Sequence, residues 1–380
     1  MYMKRILLCL GLMLCQWPVA MAQGYKMVIT KTDGTRMEVL TSDVKEIRMR
    51  QQDAEEERLD DVNADQIIIK EVYNGGCPMD EGTDYFQKDK CIVLYNNCPQ
   101  RAVVNNLCIG FCTPYNSEAP NNRIYDDNGR LVYEADGFIP ALNGIWYFPH
   151  SLVMEPFAQV VVNVQGAIDN TLTYSQSVNY ANADYYCMYD PESGYNNTSF
   201  YPTPADVIPT SHYLHAVKYG QSNAWPLSVT SPAVFIFQPQ GMTPIQLATD
   251  ADNLWYAPGE AHNDIHACVK VPFEWIIDGM EIFNAAKKED NKKRLTADID
   301  GGYVYLTNKL GHTLYRNVDQ EMTEALSENN GRLVYGYQLG DDPSGIDAEA
   351  SISKGAHIIY QDWNDSSLDF HERLRCSLRK

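Results

Sequence analysis

Residues 67–98 read IIIKEVYNGGCPMDEGTDYFQKDKCIVLYNNC. Two apolar runs, 67–72 and 91–95, flank a polar, glycine-rich connection. Short runs rich in β-branched and aromatic residues, bounded by Gly, Pro, Asn and Asp, read as strands. Each run leads into asparagine, at Asn74 and at Asn96-Asn97, a residue that turns the chain out of a sheet. The stretch predicts a strand pair and, with it, a β-rich domain. Its conspicuous residues suit turns and bridges better than chemistry.

The same pattern recurs outward from this pair. Strands are expected over 102–111 with a kink at Asn105-Asn106, then over 145–148, 159–164, 233–238, 273–277, 302–308, 313–317, 333–339 and 357–362. Asp126–Gly129 would turn a hairpin. Short helices are expected over 181–189 and 280–287. The 25 Tyr fit half-buried strand faces, and the 24 Gly and 19 Pro punctuate turns. Residues 165–260 hold few clear strands and read as a long irregular insert, the kind of segment that is either functional or disordered.

The start of the chain reads as an export signal. Lys4 and Arg5 precede an apolar run over 6–15, and Ala20-Met21-Ala22 makes a small-residue cleavage site, so 1–22 is expected to leave and Gln23 to lead. That run is too short to span a membrane, and no later one approaches the required length. Residues 23–50 alternate apolar and polar around Asp33-Gly34, a hairpin signal, with a third strand expected over 44–49. Residues 51–66 are acidic and nearly devoid of apolar side chains, which makes them a linker to a main domain over 67–380.

A net charge of −20 argues against nucleic acid and anionic membrane surfaces as partners. Of the ten cysteines, Cys9 and Cys15 fall in the leader. An even remainder in an exported chain suggests disulfides, and Cys77, Cys91, Cys98, Cys108 and Cys112 lie close enough in sequence for local bridges.

Catalytic signatures are missing. No G-x-S-x-G, H-E-x-x-H or phosphate-binding glycine loop occurs, and His371-Glu372 meets Arg375 where a second histidine would stand. The metal-like spacings are His262-x3-His266 and His212-x2-His215, a four-ligand set only if the fold joins two distant segments. Asp250-Ala251-Asp252 and Asp298-Ile299-Asp300 offer hard oxygen ligands of the sort calcium takes, without EF-hand spacing. No organic cofactor motif is present. The insert supplies the candidate contact surface: Tyr185, Tyr186, Tyr189, Tyr195, Phe200 and Tyr201 crowd around Asn196, and aromatic rings with amides suit sugars or proteins.

Three segments carry a family likeness: EVYNGG with DKCIVLYNN, then EWIIDGMEIF, then GHTLYRN with QDWNDSSLDF. The first and last resemble the opening and closing strands of the lamin-tail pattern, and the whole resembles a Bacteroidota family of secreted proteins of unknown function with a lamin-tail-like core. The likeness departs at Val93, where the pattern has glutamate, and at Trp363 within the closing motif. It implies an immunoglobulin-like β-sandwich, a fold that mainly binds or spaces, and no catalytic residues.

The expected protein is therefore all-β: an immunoglobulin-like or lamin-tail-like sandwich with a long insert, a few short helices and a small N-terminal β-module. The expected role is an exported, non-catalytic binding or assembly component of the cell envelope, contacting an envelope protein or a glycan. A glycan-acting hydrolase and an envelope metal-binding protein are the alternatives.

Overall fold

The computed structural model describes residues 26–30, 36–41, 59–119, 123–220 and 227–379. The expected leader, the third strand over 44–49 and residues 51–58 of the linker lie outside the described residues. The chain divides into two compact units, Met1–Glu56 and Glu57–Lys380.

In the first unit, β1 (Lys26–Thr30) and β2 (Arg36–Leu40) pair antiparallel with Lys26 opposite Leu40. They are the two arms of the hairpin that Asp33-Gly34 predicts. Lys26 Nζ lies 2.9 Å from Glu38 Oε2 on the exposed surface.

The second unit begins before Ile67, because Val62 and Val103 exchange backbone hydrogen bonds of 2.9 and 2.7 Å. Its strands run as follows. First come β3 (Ile67–Tyr73), β4 (Cys77–Pro78), β5 (Tyr85–Phe86), β6 (Cys91–Asn96), β7 (Ala102–Val104) and β8 (Cys108–Phe111). Next are β9 (Phe138–Leu142), β10 (Gly144–Tyr147), β11 (Leu152–Met154), β12 (Gln159–Asn163), β13 (Tyr186–Met188), β14 (Tyr213–Lys218) and β15 (Ala233–Phe237). The last are β16 (Leu254–Trp255), β17 (Cys268–Pro272), β18 (Ile276–Asn284), β19 (Val304–Leu306), β20 (Thr313–Arg316) and β21 (Phe370–Arg373). The opening pair, β3 with β6, is antiparallel as its sequence predicts.

Twelve strands form one sheet in the order β19-β18-β15-β8-β10-β14-β13-β12-β6-β3-β20-β21. The sheet curls until its two ends lie against each other, β19 beside β21, so that it nearly closes into a barrel. Its core shows the closure: Ile69, Leu94, Ile109, Trp146, Val162, Met188, Leu214, Ile236, Ile282, Leu306, Leu314 and Phe370, one from each of the twelve strands, belong to a single buried cluster. At the seam, side chains replace part of the ladder. Asp278 Oδ2 accepts from Ile69 N at 2.6 Å, and Glu372 Oε1 accepts from Thr307 N at 2.7 Å. On the outer face, the small sheet β16-β17-β9 packs its Val269, Val271 and Ile139 against Phe235, Phe237 and Tyr147. Gly144 makes the step from β9 to β10. Its φ is +96°, and a Cβ there would lie 1.8 Å from the Val217 carbonyl oxygen.

The mostly β composition matches expectation; several details do not. The two-sheet sandwich is replaced by one twelve-stranded sheet with a small covering sheet. The supposed insert over 165–260 supplies β13, β14 and β15, and β13 lies parallel to both β12 and β14 in mid-sheet. The expected helix over 181–189 is instead an irregular approach to the mid-sheet strand β13. Of the expected helix over 280–287, residues 280–284 are instead the second half of the nine-residue β18, whose period of two sends Met280 and Ile282 into the core, and helical turns begin only with the 3-10 segment Ala285–Asp290. The 102–111 run breaks into β7 and β8 at Asn106, whose φ is +54°. Residues 333–339 and 357–362 form only the single bridges Tyr335–Ile346 and Val318–Tyr360.

Candidate functional site

The residues singled out in the insert pack inward. Tyr195 and Tyr201 are buried, and Tyr195 stacks on Trp146 at 4.8 Å. Tyr186 stacks on His212 at 4.1 Å, and Tyr189 meets Tyr213 edge-on at 5.4 Å. Tyr185, Tyr186, Tyr189 and Phe200 are half-buried, and of the set only Asn196 is fully exposed. With β13 and β14 central to the sheet, Tyr195 and Tyr201 belong to its core, and the four half-buried rings give part of their surface to it.

The histidines do not converge. His212 and His215 face Tyr186 and Tyr147, His262 stacks on Tyr256 at 4.3 Å, and His266 Nδ1 lies 3.2 Å from Glu260 Oε2. Among the described residues, no group of three or more His, Cys, Asp or Glu is placed to hold a metal ion. The aspartate pairs serve as local caps and struts. Asp250 accepts from Asp252 N at 3.0 Å, and Asp300 accepts from Glu281 N at 2.8 Å and from Ser366 N at 2.7 Å.

The cysteines correct another expectation. The eight among the described residues are buried free thiols, and none of the local pairs among Cys77, Cys91, Cys98, Cys108 and Cys112 is joined. Cys77, Cys91 and Cys108 lie on β4, β6 and β8, whereas Cys98 and Cys112 lie outside the strands, Cys112 in the same buried cluster as Cys108. Cys91 on β6 makes its side-chain contact with Cys376, near the far end of the chain.

A pocket of about 380 Å³ lies elsewhere, between 336–350 and the last residues, 373–379. Two of its lining residues, Glu349 and Ser377, are held by side chains from an irregularity in β3. The β3–β6 register slips between Ile69 and Glu71, leaving Lys70 as a bulge. A bulge inserts one residue and shifts the alternation of faces. Ile67 and Ile69 therefore face the barrel core, as does Val72, while Lys70 and Glu71 both turn outward. Lys70 Nζ, fully buried, meets Gln159 Oε1 at 2.7 Å and Glu349 Oε1 at 2.9 Å, beneath the rings of Tyr95, Tyr315 and Tyr360. Glu71 accepts from Ser377 N at 3.0 Å and so ties down the C-terminal segment. Burial favours neutral Glu349, but the charge of Lys70 and hydrogen bonds from Tyr315 and Lys70 outweigh it, so its carboxyl stays below the usual range.

Arg373, on β21, forms the pocket's inner wall with its guanidinium over the Tyr315 ring at 3.3 Å and the Tyr337 ring at 4.1 Å. Its Nε donates to His371 Nε2 at 3.0 Å, and His371 Nδ1 lies 2.6 Å from Asn317 Oδ1. The two contacts specify a neutral imidazole protonated on Nδ1. Burial, then the charge of Arg373, pushes the His371 pKa down to about 3. Arg373 is wholly buried, yet Nη1 and Nη2 have no hydrogen-bond partner. Arg375, which is exposed, and Arg379, half-buried, line the same pocket. Cys376 lines it too. Burial and the hydrogen bond to Cys91 push its thiol well up, so it is no thiolate nucleophile.

Residues 155–336 match the model of a family described as "Protein of unknown function (DUF4876)". A crystal structure of a DUF4876 family protein from Bacteroides thetaiotaomicron VPI-5482 superposes with a TM-score of 0.58 at 17% identity, covering 81% of this chain and 71% of that one. The chain is similar to DUF4876 proteins. No curated protein matches it. At this identity the DUF4876 structure speaks for the fold alone. The match to a family of unknown function agrees with the likeness read from the sequence, but it runs through 165–260, where that likeness was faintest. The arginine pocket lies almost wholly beyond the DUF4876-matched residues, which end at 336.

Sequence reading did not single out Arg373, Arg375 or Arg379. A signal existed: the closing HERLRCSLRK is rich in basic residues in a chain of net charge −20. Which of those charges is buried depends on β21 and was not legible.

Proposed function

We propose that this protein is an exported, non-catalytic binding or assembly component of a bacterial cell envelope, and that its ligand enters the pocket walled by Arg373. The observation that carries this reading is the buried guanidinium with two unpartnered nitrogens at a pocket wall. A buried charge left unmatched is costly, and a ligand that matches it is the ordinary remedy. A binding role is favoured over chemistry by the neighbours. The His371 imidazole titrates at about 3, far from neutral pH, and the Cys376 thiol is pushed up, away from thiolate. The lamin-tail likeness belongs to this proposal. The strands that carry it, β6, β3 and β20, are sheet neighbours, which supports a common β core that binds or spaces. So does export to the periplasm, cell surface or medium, which rests on the leader pattern in 1–22.

The test is cell fractionation and binding. Full-length protein is expected with the envelope or medium, deletion of 1–22 is expected to hold it in the cytoplasm, and the mature chain is expected to retain envelope material that Arg375→Ala loses. Equal retention by both would sink the pocket reading.

A second reading, a glycan-acting hydrolase, has its own observation. Asp61, Asp65 and Glu274 line another pocket, of about 330 Å³, beside Trp275. Release of reducing ends from envelope polysaccharide, abolished by Glu274→Gln, would favour that reading over the first.

A further inference from the structure

Among the described residues, Arg294, Arg316 and Arg373 are all completely buried. The first two are matched throughout. Arg294 donates from Nε and Nη2 to Glu281 Oε1 at 2.8 and 2.7 Å, and from Nη1 to Pro114 O at 2.8 Å. Arg316 donates from Nε to Ile69 O at 2.7 Å, from Nη1 to Asp362 Oδ1 at 2.9 Å and from Nη2 to Asp278. Arg373 uses only Nε. The fold solves the same problem twice from within and leaves it open once, at a pocket.

The surroundings of Arg373 select the shape of the missing partner. Tyr315 and Tyr337 lie against its guanidinium, and Nη1 and Nη2, buried behind the pocket wall, are the groups still without a partner. The edge bearing them presents parallel N–H groups, which a coplanar carboxylate meets in bidentate fashion. A tetrahedral anion carries oxygens above and below that plane, toward the tyrosine rings. The acids nearby are already engaged: Glu349 holds Lys70 at 2.9 Å, and Asp347 caps the helix Ala348–Ser353 through Ala350 N at 3.0 Å. Arg375 and Arg379 remain to attract an anion to a protein that is otherwise strongly acidic. Gln338 and Ser377 also line the pocket; their donors are taken by Gly336 O and Glu71, and their oxygens can still accept from hydroxyl groups, with the half-buried Tyr337 ring nearby in the lining.

We infer that the pocket, taken as the ligand site proposed above, recognises the carboxylate of an acidic saccharide of the uronic-acid class, with Arg373 as the bidentate anchor and Arg375 as the guiding charge. The test titrates the full mature chain with glucuronate, glucose, sulfate and N-acetylalanine, following thermal unfolding and heat of binding. Glucuronate is expected to give a saturable rise in Tm, and glucose and sulfate none. Arg373→Lys keeps the charge but loses the fork, and is expected to weaken glucuronate by about tenfold to a hundredfold, the worth of a charge-assisted hydrogen bond. Arg375→Ala, at an exposed position, is expected to weaken it about threefold while leaving the ligand-free Tm unchanged, and it carries the test if Arg373→Lys unfolds the protein. Sulfate or glucose binding as tightly as glucuronate, and lost in Arg375→Ala, overturns the carboxylate inference while the pocket reading stands. N-acetylalanine binding more tightly than glucuronate overturns the saccharide and points to a peptide terminus. No saturable response to any probe overturns the inference and removes the pocket's support as well.

Discussion

Glu281 and Arg294 are matched atom for atom in the interior. Glu281 Oε1 takes two guanidinium hydrogen bonds, and Oε2 takes the backbone N–H groups of Arg294 and Leu295 at 2.8 Å each. Both side chains are fully buried. A pair this enclosed is costly to break, because removing one partner strands the other charge. Glu281→Ala is expected to lower stability by about 3–5 kcal/mol, read from urea unfolding. A loss under about 1 kcal/mol would mean the pair is exposed to water in solution.

His371 makes stability pH-dependent. Its folded pKa is lowered to about 3, chiefly by burial, against an ordinary value near 6.5. Above pH 6.5 the imidazole is neutral in both states and costs nothing. As pH falls, only the unfolded chain takes up the proton, so stability drops by about 1.4 kcal/mol per pH unit between 6.5 and 3. From pH 6.5 to 5 the wild type is expected to lose about 2 kcal/mol more than His371→Gln. Parallel pH profiles for the two would show that His371 is solvated.

Tyr195 distinguishes core from surface. It is 3% exposed and stacked on Trp146 at 4.8 Å, so Tyr195→Ala is expected to cost about 3–5 kcal/mol. A residue on an exposed binding platform would cost less than about 0.5 kcal/mol. Chemical denaturation decides between them.

The thiols offer a fourth test. The eight buried cysteines among the described residues are expected to resist a thiol reagent in the native state and to react once the chain is unfolded. With diamide as oxidant, peptide mapping is expected to find Cys91 joined to Cys376, the pair in side-chain contact, before any bridge within 77–112. A first bridge between Cys77 and Cys91 would contradict the strand placement.

Metal addition is expected to leave unfolding unchanged. The carboxylate pairs cap turns, and the histidines stack on rings or pair with Glu260. A Tm rise of several degrees with calcium or zinc, reversed by chelator, would show a site that the described residues do not form.

The sequence by itself determined the β class, the strand pair over 67–98, the N-terminal hairpin and most strands of the large sheet, because alternation of apolar and polar residues is local and periodic. It did not determine which strands are neighbours. β13 is three residues long, too short to show alternation, and falls in a run that reads as helix, while β14 mixes polar and apolar residues and reads as loop; parallel pairing in mid-sheet makes both of them strands. β18 resembles a helix start until β15 is set beside it. The pocket depended on tertiary structure throughout. A one-residue bulge at Lys70 turns two charges to the same outer face, and β21 carries Arg373 from the far end of the chain onto Tyr315. Register, burial and the matching of buried charges are properties of segments some three hundred residues apart, such as Glu71 and Ser377, and no local pattern encodes them.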